Sequence, residues 1–314
     1  MSEQVLVLGA GGRLGVSVTQ AFADQGWRVR AQTRRTLPKA LQDRTEPVQF
    51  DATDAAAVAR AARGCGVVVN ALNPIYTRWT HEALPLAEAG IAAALAARAL
   101  LLYPGNVYNY GATMPERLDE SVPMAAATRK GRIRIEIEQR IRAATTTQGL
   151  RAVVIRAGDF YGGPGRGSWF DLAIAKSLRR DSVTYPGPLD VVHAWAYLPD
   201  LARWFVRAAD RRTEFATGFE TLHFPGHACS GRELIATLER VTGRTLRVRR
   251  LPWGAIRLFS PLVPMWRELA EMRYLWDIPH RLDGGKGEHL LGPLPVTPLE
   301  DALRAALAEL GLLP

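Results

Sequence analysis

Near its start the chain reads Val5-Leu6-Val7-Leu8-Gly9-Ala10-Gly11-Gly12-Arg13-Leu14-Gly15, and 16–25 is compatible with a helix. The apolar run predicts a buried strand that enters a glycine turn. Gly9 permits the tight turn, Gly12 lets the backbone approach an anion, and Gly15 lets the helix pack closely on the strand. A helix N-terminus favours phosphate groups because its first amide groups have no partner within the helix. The stretch therefore predicts a dinucleotide site, with Gly11 and Leu14 also lying against the ligand.

Strands and helices alternate after this first unit. The pattern predicts strands at 27–33, 67–71, 99–103 and 151–156, and helices at 55–63, 80–97, 130–145 and 199–209. This order predicts an α/β fold with a doubly wound, mostly parallel Rossmann-type sheet and a smaller C-terminal substrate lobe.

Glycine and proline become frequent from Gly162 onward, which predicts loops. We therefore assign 1–162 plus about 193–215 to the Rossmann domain. The discontinuous substrate-binding lobe then takes about 163–192 and 216–314.

The charge of the chain is positive overall, with 40 Lys and Arg against 31 Asp and Glu, a formal net charge of +9. The arginines are scattered, and 244–250 alternates as a strand with one solvated face would. No nucleic-acid module accompanies them. We therefore expect a positive field that attracts phosphorylated or carboxylated small molecules, and we expect no nucleic acid partner.

The sequence also predicts a cytoplasmic protein without a membrane partner. No basic segment precedes an apolar run at the N-terminus, and charges interrupt the longest apolar tract, 83–103. The two cysteines, Cys65 and Cys229, lie far apart and show no metal-ligand spacing, so neither a disulfide framework nor a metal site is expected.

The spacing Gly-x-x-Gly-x-x-Gly resembles that of extended, atypical short-chain dehydrogenase/reductase proteins of the NAD(P)-dependent epimerase/dehydratase type. The resemblance runs from Val5 to about Ala209. It implies that Asp51 lies near the adenine ring, although a turn or helix-capping role explains this residue equally well. It also implies that Asn70, Ala71 and Leu72 pass beneath the phosphates and ribose, and that Gly158 lies at the nicotinamide.

The end of the second strand, Thr33-Arg34-Arg35, bears on the choice of cofactor. An acidic residue usually holds a free 2′-hydroxyl at this place, whereas arginine accommodates a 2′-phosphate. Arg13 offers a third positive group within the glycine turn. We therefore expect NADP rather than NAD, the alternative being that these arginines are solvated surface.

The catalytic positions depart from the pattern that the resemblance implies. Asn106 stands where a Ser or Thr is usual, and Lys130 and Arg134 stand where the Tyr and Lys of a Tyr-x-x-x-Lys pair are usual. Arg134 can bond a ribose but cannot replace lysine simply. The proton donor is then Lys130 or a tyrosine, with Tyr108 as the catalytic candidate.

Tyr103 and Tyr161 are the other tyrosine candidates. On the substrate side, Trp169 and Trp195 lie in aromatic-rich stretches beside glycine loops, which predicts a lid over a flat or apolar ligand, with core packing as the alternative. The resemblance implies that Asp159 and Phe160 begin the substrate pocket, Asp159 being equally explained as a turn carboxylate. His193 is a candidate to bind a substrate oxygen or proton, with a structural histidine as the alternative.

Three functions fit these observations. The first is an NADP-dependent oxidoreductase or epimerase-like enzyme acting on a small carbonyl or sugar-like compound. The second is a non-catalytic NADP-binding sensor or regulator, and the third is an assembly factor that retains the fold. A homodimer is consistent with each of them.

Overall fold

The structure, a computed structural model, describes residues 3–34, 36–215 and 218–313. Its strands are β1 (Gln4–Leu8), β2 (Arg28–Gln32), β3 (Glu46–Val48), β4 (Val67–Asn70), β5 (Leu100–Asn106), β6 (Arg117–Leu118), β7 (Arg151–Ala157), β8 (Asp159–Tyr161), β9 (Ser182–Tyr185), β10 (Val192–Tyr197), β11 (Phe219–His223), β12 (His227–Ser230), β13 (Arg247–Arg250) and β14 (Arg281–Leu282).

The α-helices are α1 (Arg13–Asp24), α2 (Lys39–Gln42), α3 (Ala55–Ala62), α4 (Trp79–Ala97), α5 (Arg129–Gln148), α6 (Leu198–Asp210), α7 (Gly231–Thr242), α8 (Trp253–Phe259), α9 (Pro264–Glu271), α10 (Tyr274–Asp277), α11 (Gly285–Leu291) and α12 (Leu299–Glu309). Short 3-10 helices at Tyr76–Arg78, Val107–Thr113 and Ala175–Arg180 and a π-helical turn at Phe170–Ile174 connect them.

Seven strands form the central sheet in the order β11-β7-β5-β4-β1-β2-β3. Every neighbouring pair is parallel. The chain moves outward in opposite directions from β1 and β4, which creates the switch point where open α/β sheets bind ligands. The predicted fold class is confirmed.

Helices cover both faces of this sheet. Leu6, Val68 and Leu101 point to the side of α3, α4 and α5, while their neighbours along the strands, such as Val7 and Val69, point to the side of α1 and α6. Side chains alternate between faces along a strand, so strands buried on both sides read as continuous apolar runs. The run at 5–8 has this composition for that reason.

The smaller lobe has its own core, made largely of aromatic and aliphatic side chains from β8, β10, α7, α10 and α12. It contains the sheet β12-β10-β8, and the short pairs β13-β9 and β14-β6 lie beside it. The glycine and proline-rich loops at 162–167 and 185–188 lead into and out of this part of the chain.

Two sequence expectations need correction here. Residues 219–223, assigned to the lobe, form β11 at the edge of the central sheet, because Phe219 pairs in parallel with Ala152 and the rest of the strand follows. The alternation at 244–250 predicted one buried face, but all four residues of β13 are exposed, including Val248. Within the described chain, this strand pairs only with β9.

Within the described ranges, no helix combines the length and apolar character that crossing a membrane would require.

Candidate functional site

The glycine turn forms a cradle of main chain at the switch point of the sheet. Gly9 has φ +75°, and a Cβ there would lie 2.9 Å from main-chain atoms of Ala71 and Leu72. A Cβ on Gly15 would lie 2.1 Å from the Gly9 carbonyl oxygen. Helix α1 begins after Gly12 without a side-chain cap, so its first amide groups face the cradle. This geometry fits the pyrophosphate of a dinucleotide.

Gln32 holds the turn in place, a role that the sequence analysis missed. Its Oε1 accepts a 2.9 Å hydrogen bond from the Gly9 amide, and its Nε2 donates to the Phe50 carbonyl at 2.8 Å. Its own carbonyl accepts from the Ala10 amide. A buried amide side chain at the end of a strand was the available signal, because such a group must find hydrogen-bond partners.

The residues expected at the adenine end of the cofactor lie at and after the end of β2. Thr33 is buried and Arg34 is exposed, while Arg35 lies outside the described residues. Asp51 accepts hydrogen bonds from the amide and hydroxyl of Thr53, which lower the pKa of its carboxyl, and the charge of Arg34 adds to this effect. Asp51 therefore forms a local turn with Thr53, and it lies close enough to Arg34 for the positive charge of Arg34 to lower the pKa of its carboxyl.

Arg13 connects the glycine turn to the lobe. Its Nη1 lies 2.9 Å from Asp171 Oδ2, and its Nη2 donates to the Gly162 carbonyl at 2.8 Å. Asp171 also accepts from the amides of Gly167 and Ser168. The Arg13 guanidinium therefore binds the segment 162–171. It is not free in this structure to act as the third positive group that the sequence predicted for a 2′-phosphate.

Asn70 ties β4 to α4 through its side chain. It is fully buried, and its Nδ2 donates to the Leu86 carbonyl at 2.9 Å. A Cβ on Gly90 would lie 2.3 Å from that nitrogen, so the close approach requires glycine. The main chain of Ala71 and Leu72, rather than the Asn70 amide, is what faces Gly9.

Lys130 lies in a buried ion-pair cluster at the start of α5. Its side chain is 0% exposed, and its Nζ contacts Glu268 and lies 2.8 Å from Glu271 Oε2, both on α9. Arg129 also pairs with Glu268 at 2.6 Å. Burial raises the pKa of the Glu268 carboxyl, but hydrogen bonds from Arg129 and Lys130 outweigh it and the pKa is lowered. Lys130 is held as a structural cation in this arrangement.

Arg134 crosses the end of β5 one helical turn further on. Its Nη1 donates to the Pro104 carbonyl at 3.1 Å and to the Tyr103 hydroxyl at 3.3 Å, and its Cζ lies 4.8 Å from the Trp79 ring centroid. Its Nε is buried without a partner among the described residues. Nearby, Asn106 Oδ1 accepts from the Tyr108 amide at 3.1 Å and so begins the following 3-10 helix.

A pair of tyrosines lies at the same edge of the sheet. The hydroxyls of Tyr76 and Tyr108 are 2.8 Å apart. Burial, followed by the negative charge of Asp159, raises the pKa of Tyr76 to about 12. The pKa of Tyr108 is raised well above its ordinary value, first by burial and then by Tyr76 and Asp159. Tyr76 was missed from the sequence, although it follows β4 within a few residues.

Asp159 and His193 form a second polar pair on neighbouring parallel strands. Trp195 lies opposite Asp159 in the β10–β8 register, which puts His193 on the same face of the sheet. His193 Nε2 lies 2.9 Å from Asp159 Oδ2, and the imidazole stacks on Trp276 at 4.2 Å. The other ring nitrogen, Nδ1, is buried with no partner within the described chain.

The aromatic candidates divide between the core of the lobe and the core of the central sheet. Trp195 is only 1% exposed within the lobe core, so its ring is not available as a lid. Trp169 is half-buried and packs on Trp253 and Trp276, whereas Phe160 packs on the core of the central sheet. A Cβ on Gly158 would lie 2.2 Å from the Ala194 carbonyl oxygen, so that glycine allows β7 and β10 to meet.

Three further tyrosines have hydroxyl partners within the protein. Tyr161 shares a 2.8 Å hydrogen bond with His227 Nδ1 inside the lobe, and Tyr103 contacts Arg134. Tyr110 donates to His223 Nε2 at 2.7 Å and accepts from Arg156, which in turn pairs with Glu138. His223 Nδ1 donates to the Leu118 carbonyl, so that nitrogen carries a proton, and burial lowers the pKa of His223 to about 4 although the bond to Leu118 acts in the opposite direction.

Comparison with known proteins agrees with this geometry. The model of the NAD dependent epimerase/dehydratase family matches residues 5–218. No curated protein matches the chain.

Solved structures share the fold along the whole length. UDP-glucose 4-epimerase from Brucella ovis, in complex with NAD, is 19% identical with a TM-score of 0.77, covering 98% of each chain. UDP-glucuronic acid 4-epimerase from Bacillus cereus, in complex with UDP-glucuronic acid and NAD, is 17% identical with a TM-score of 0.77, covering 98% of this chain and 99% of that one. UDP-glucose 4-epimerase from Thermotoga maritima, with UDP-glucose, is 15% identical with a TM-score of 0.78, covering 98% of each chain.

The resemblance first seen in the glycine spacing is therefore confirmed, and the match covers well over half of the sequence. The chain belongs to the NAD dependent epimerase/dehydratase family.

Proposed function

We propose that this protein is an NADP-dependent oxidoreductase that reduces a small carbonyl or sugar-like compound, with a tyrosine pair in place of the usual Tyr-x-x-x-Lys proton donor. The observation that carries the proposal is the 2.8 Å contact between the hydroxyls of Tyr76 and Tyr108, at the edge of the sheet that also carries the glycine cradle. Reduced nicotinamide supplies a hydride when bound in such a cradle.

The preference for NADP rests on charge at the end of β2. Thr33 and Arg34 stand where an acidic residue would hold a free 2′-hydroxyl, and Arg34 is exposed. A guanidinium forms two parallel hydrogen bonds to a phosphate, which an ammonium cannot match. Arg35 follows directly in sequence and supplies a second guanidinium in this proposal. Two of the solved structures described above, from Brucella ovis and Bacillus cereus, are in complex with NAD, so the proposed preference differs from the cofactor bound there.

Proton delivery is assigned to the tyrosine pair because the other candidates are occupied. Lys130 is fully buried and in contact with two carboxylates. Both tyrosines are held in the protonated form by burial and by Asp159. A hydroxyl in this state donates a proton to the oxygen of a carbonyl that receives a hydride, but it is a poor base. In this proposal the protonated pair serves the reduction of a carbonyl, in which a hydroxyl gives its proton as the carbonyl oxygen gains negative charge.

Other side chains position the reactants in this proposal. Arg134 holds the ribose next to the nicotinamide, since its buried Nε has no other partner in the described chain. Asn106 orients the substrate oxygen, and the Asp159–His193 pair contacts the substrate from the lobe side. The lobe is taken as about 163–192 together with the part of the chain after β11.

The cofactor preference is tested by replacing Arg34 and Arg35 together with alanine. We expect NADPH binding to weaken by one to two orders of magnitude, at about 1.5–3 kcal/mol for hydrogen bonds to a charged group, with NADH binding unchanged. The control removes the same charge from α3 by Arg60→Ala with Arg63→Ala. Equal weakening for NADPH and NADH would refute the preference.

The alternative is a non-catalytic NADP-binding sensor. It is favoured by the ion pairs of Lys130, because they leave α5 without a proton donor at the position where the catalytic tyrosine is usual. The two functions separate on turnover. Oxidation of bound NADPH by a member of a panel of aldehydes, ketones and keto sugars, lost in Tyr108→Phe, supports the enzyme. No oxidation with any member supports the sensor.

A further inference from the structure

The hairpin formed by α8 and α9 presents apolar side chains to solvent at its turn. Leu258 is 71% exposed and Leu262 is 77% exposed, and Phe259 and Met265 are also exposed. Single exposed leucines are ordinary, but four large apolar residues within eight positions on one convex turn are not. Such a group marks an interaction surface.

The hairpin is anchored firmly at its base, so its exposed tip is a stable feature. Ile256 is buried, and the Trp253 indole nitrogen donates to the Pro186 carbonyl. On α9, Glu268 is 1% exposed in its ion pairs with Lys130 and Arg129. Phe259 and Trp266 contact each other edge to face at 6.3 Å between the two helices. The tip is thus presented on a fixed base.

Arginines flank this tip in sequence, with no acidic residue among them. The segment 244–267 contains six arginines and no Asp or Glu. Among them Arg247, Arg249, Arg250 and Arg257 form no ion pair or hydrogen bond through their side chains to another part of the described chain, and all four are exposed. Arg250 is three residues from the start of α8, which limits its separation from Trp253 to about 10 Å.

We propose that the α8–α9 hairpin docks on the surface of an anionic lipid bilayer, with Leu258 and Leu262 entering the interface and the arginines binding lipid phosphates. Exposed apolar side chains at the turn, together with unpaired arginines on α8 and on the preceding strand β13, match the combination of shallow insertion and charge attraction that interfacial attachment uses. No membrane partner was expected from the sequence, because the exposure of this segment becomes visible only in the folded chain. The proposal does not depend on the proposed reaction.

The test measures partition of the full-length protein onto vesicles by co-sedimentation. Vesicles of phosphatidylcholine alone are compared with vesicles that also contain phosphatidylglycerol, at low and high salt. We expect binding only to the anionic vesicles, weakened by salt because the charges are exposed. Replacement of Arg249 and Arg250 by glutamine should weaken partition about thirty-fold, at about 1 kcal/mol per arginine.

Two further comparisons of variants distinguish binding by the α8–α9 hairpin from binding by the net charge or the exposed apolar surface of the protein as a whole. Leu258→Ser with Leu262→Ser should abolish partition, whereas Leu172→Ser, at a leucine 58% exposed elsewhere, should leave it unchanged. Arg60→Gln with Arg63→Gln removes the same charge from α3 and should change partition less than three-fold.

Several outcomes overturn the proposal. They are absence of binding to anionic vesicles, equal loss in the α3 variant, and binding that survives the double serine variant. Self-association in solution that the double serine variant abolishes, without vesicle binding, assigns the surface to a second copy of the chain and also overturns it.

Discussion

The close packing of the glycine turn makes Gly15→Ala the sharpest test of the cradle. Gly15 lies in the first turn of α1, where an alanine Cβ would lie 2.1 Å from the Gly9 carbonyl oxygen and 2.9 Å from Ala10 Cα. Ordinary contacts of a Cβ atom begin near 3.4 Å. The atoms in the way belong to the main chain, so no side chain can rotate aside and the turn itself must move by more than an ångström.

The expected magnitude follows from two opposing terms. Alanine is better than glycine inside a helix by about 0.8–1 kcal/mol. Overpacking of a tight interior costs about 1–3 kcal/mol or more, and the upper part of that range applies here because main chain is displaced. We therefore expect a net loss of about 1–2 kcal/mol in the free energy of unfolding. Because the displaced turn forms the cradle, NADPH binding should fall by at least ten-fold.

Urea unfolding and NADPH titration measure the two effects. The matched control is Gly254→Ala in α8, where the added Cβ meets nothing within 4 Å. This change should stabilise the protein by up to about 1 kcal/mol and leave NADPH binding unchanged. If Gly15→Ala behaved like Gly254→Ala in both measurements, the reasoning from main-chain contact would be refuted.

Two further predictions concern buried charge and pH. Lys130→Met should lower the free energy of unfolding by about 3 kcal/mol, because it removes the buried cation that contacts Glu268 and leaves this carboxylate with the partly exposed Arg129 and Arg267. Arg232→Met at an exposed pair should cost under about 1 kcal/mol, and equal losses in urea unfolding would contradict this reasoning. The pKa of His223 is about 4 in the folded state against 6.5 ordinarily, so the unfolded chain binds the proton more tightly and stability falls as pH is lowered from about 6.5 to about 4. The loss of stability attributable to His223 is at most about 3 kcal/mol. His223→Gln, which keeps both hydrogen-bonding roles, should make this loss smaller, whereas His289→Gln, at an exposed histidine, should not. Identical pH profiles of stability for wild type and His223→Gln would count against the assignment of this loss to His223.

Much of the fold was predictable because its signals are local. The apolar run at 5–8, the glycine spacing and the alternation of strands with helices each depend on a few neighbouring residues. Helix α4, predicted at 80–97, is found at Trp79–Ala97. Strand β11 was missed because its five residues join the sheet only through pairing with β7, which no local pattern announces.

The site was less predictable because it depends on contacts between distant segments. The ion pair between Arg13 and Asp171 joins residues 158 positions apart. The ion pair between Lys130 and Glu268 joins α5 to a helix of the lobe. Spacing on α5 alone offered Lys130 as an acid. Tyr76 follows β4 and reaches Tyr108 after β5, so the pair exists only once parallel strands place their carboxyl ends at one edge.

The most direct test of the central claim is a single-turnover measurement of bound NADPH with the carbonyl panel, comparing wild type with Tyr108→Phe and Tyr76→Phe. The account predicts that wild type oxidises NADPH with at least one carbonyl compound, and that loss of the Tyr108 hydroxyl slows this step by a factor of about 10²–10⁴ while NADPH affinity stays the same. Oxidation that proceeds at the wild-type rate in both phenylalanine variants would contradict it.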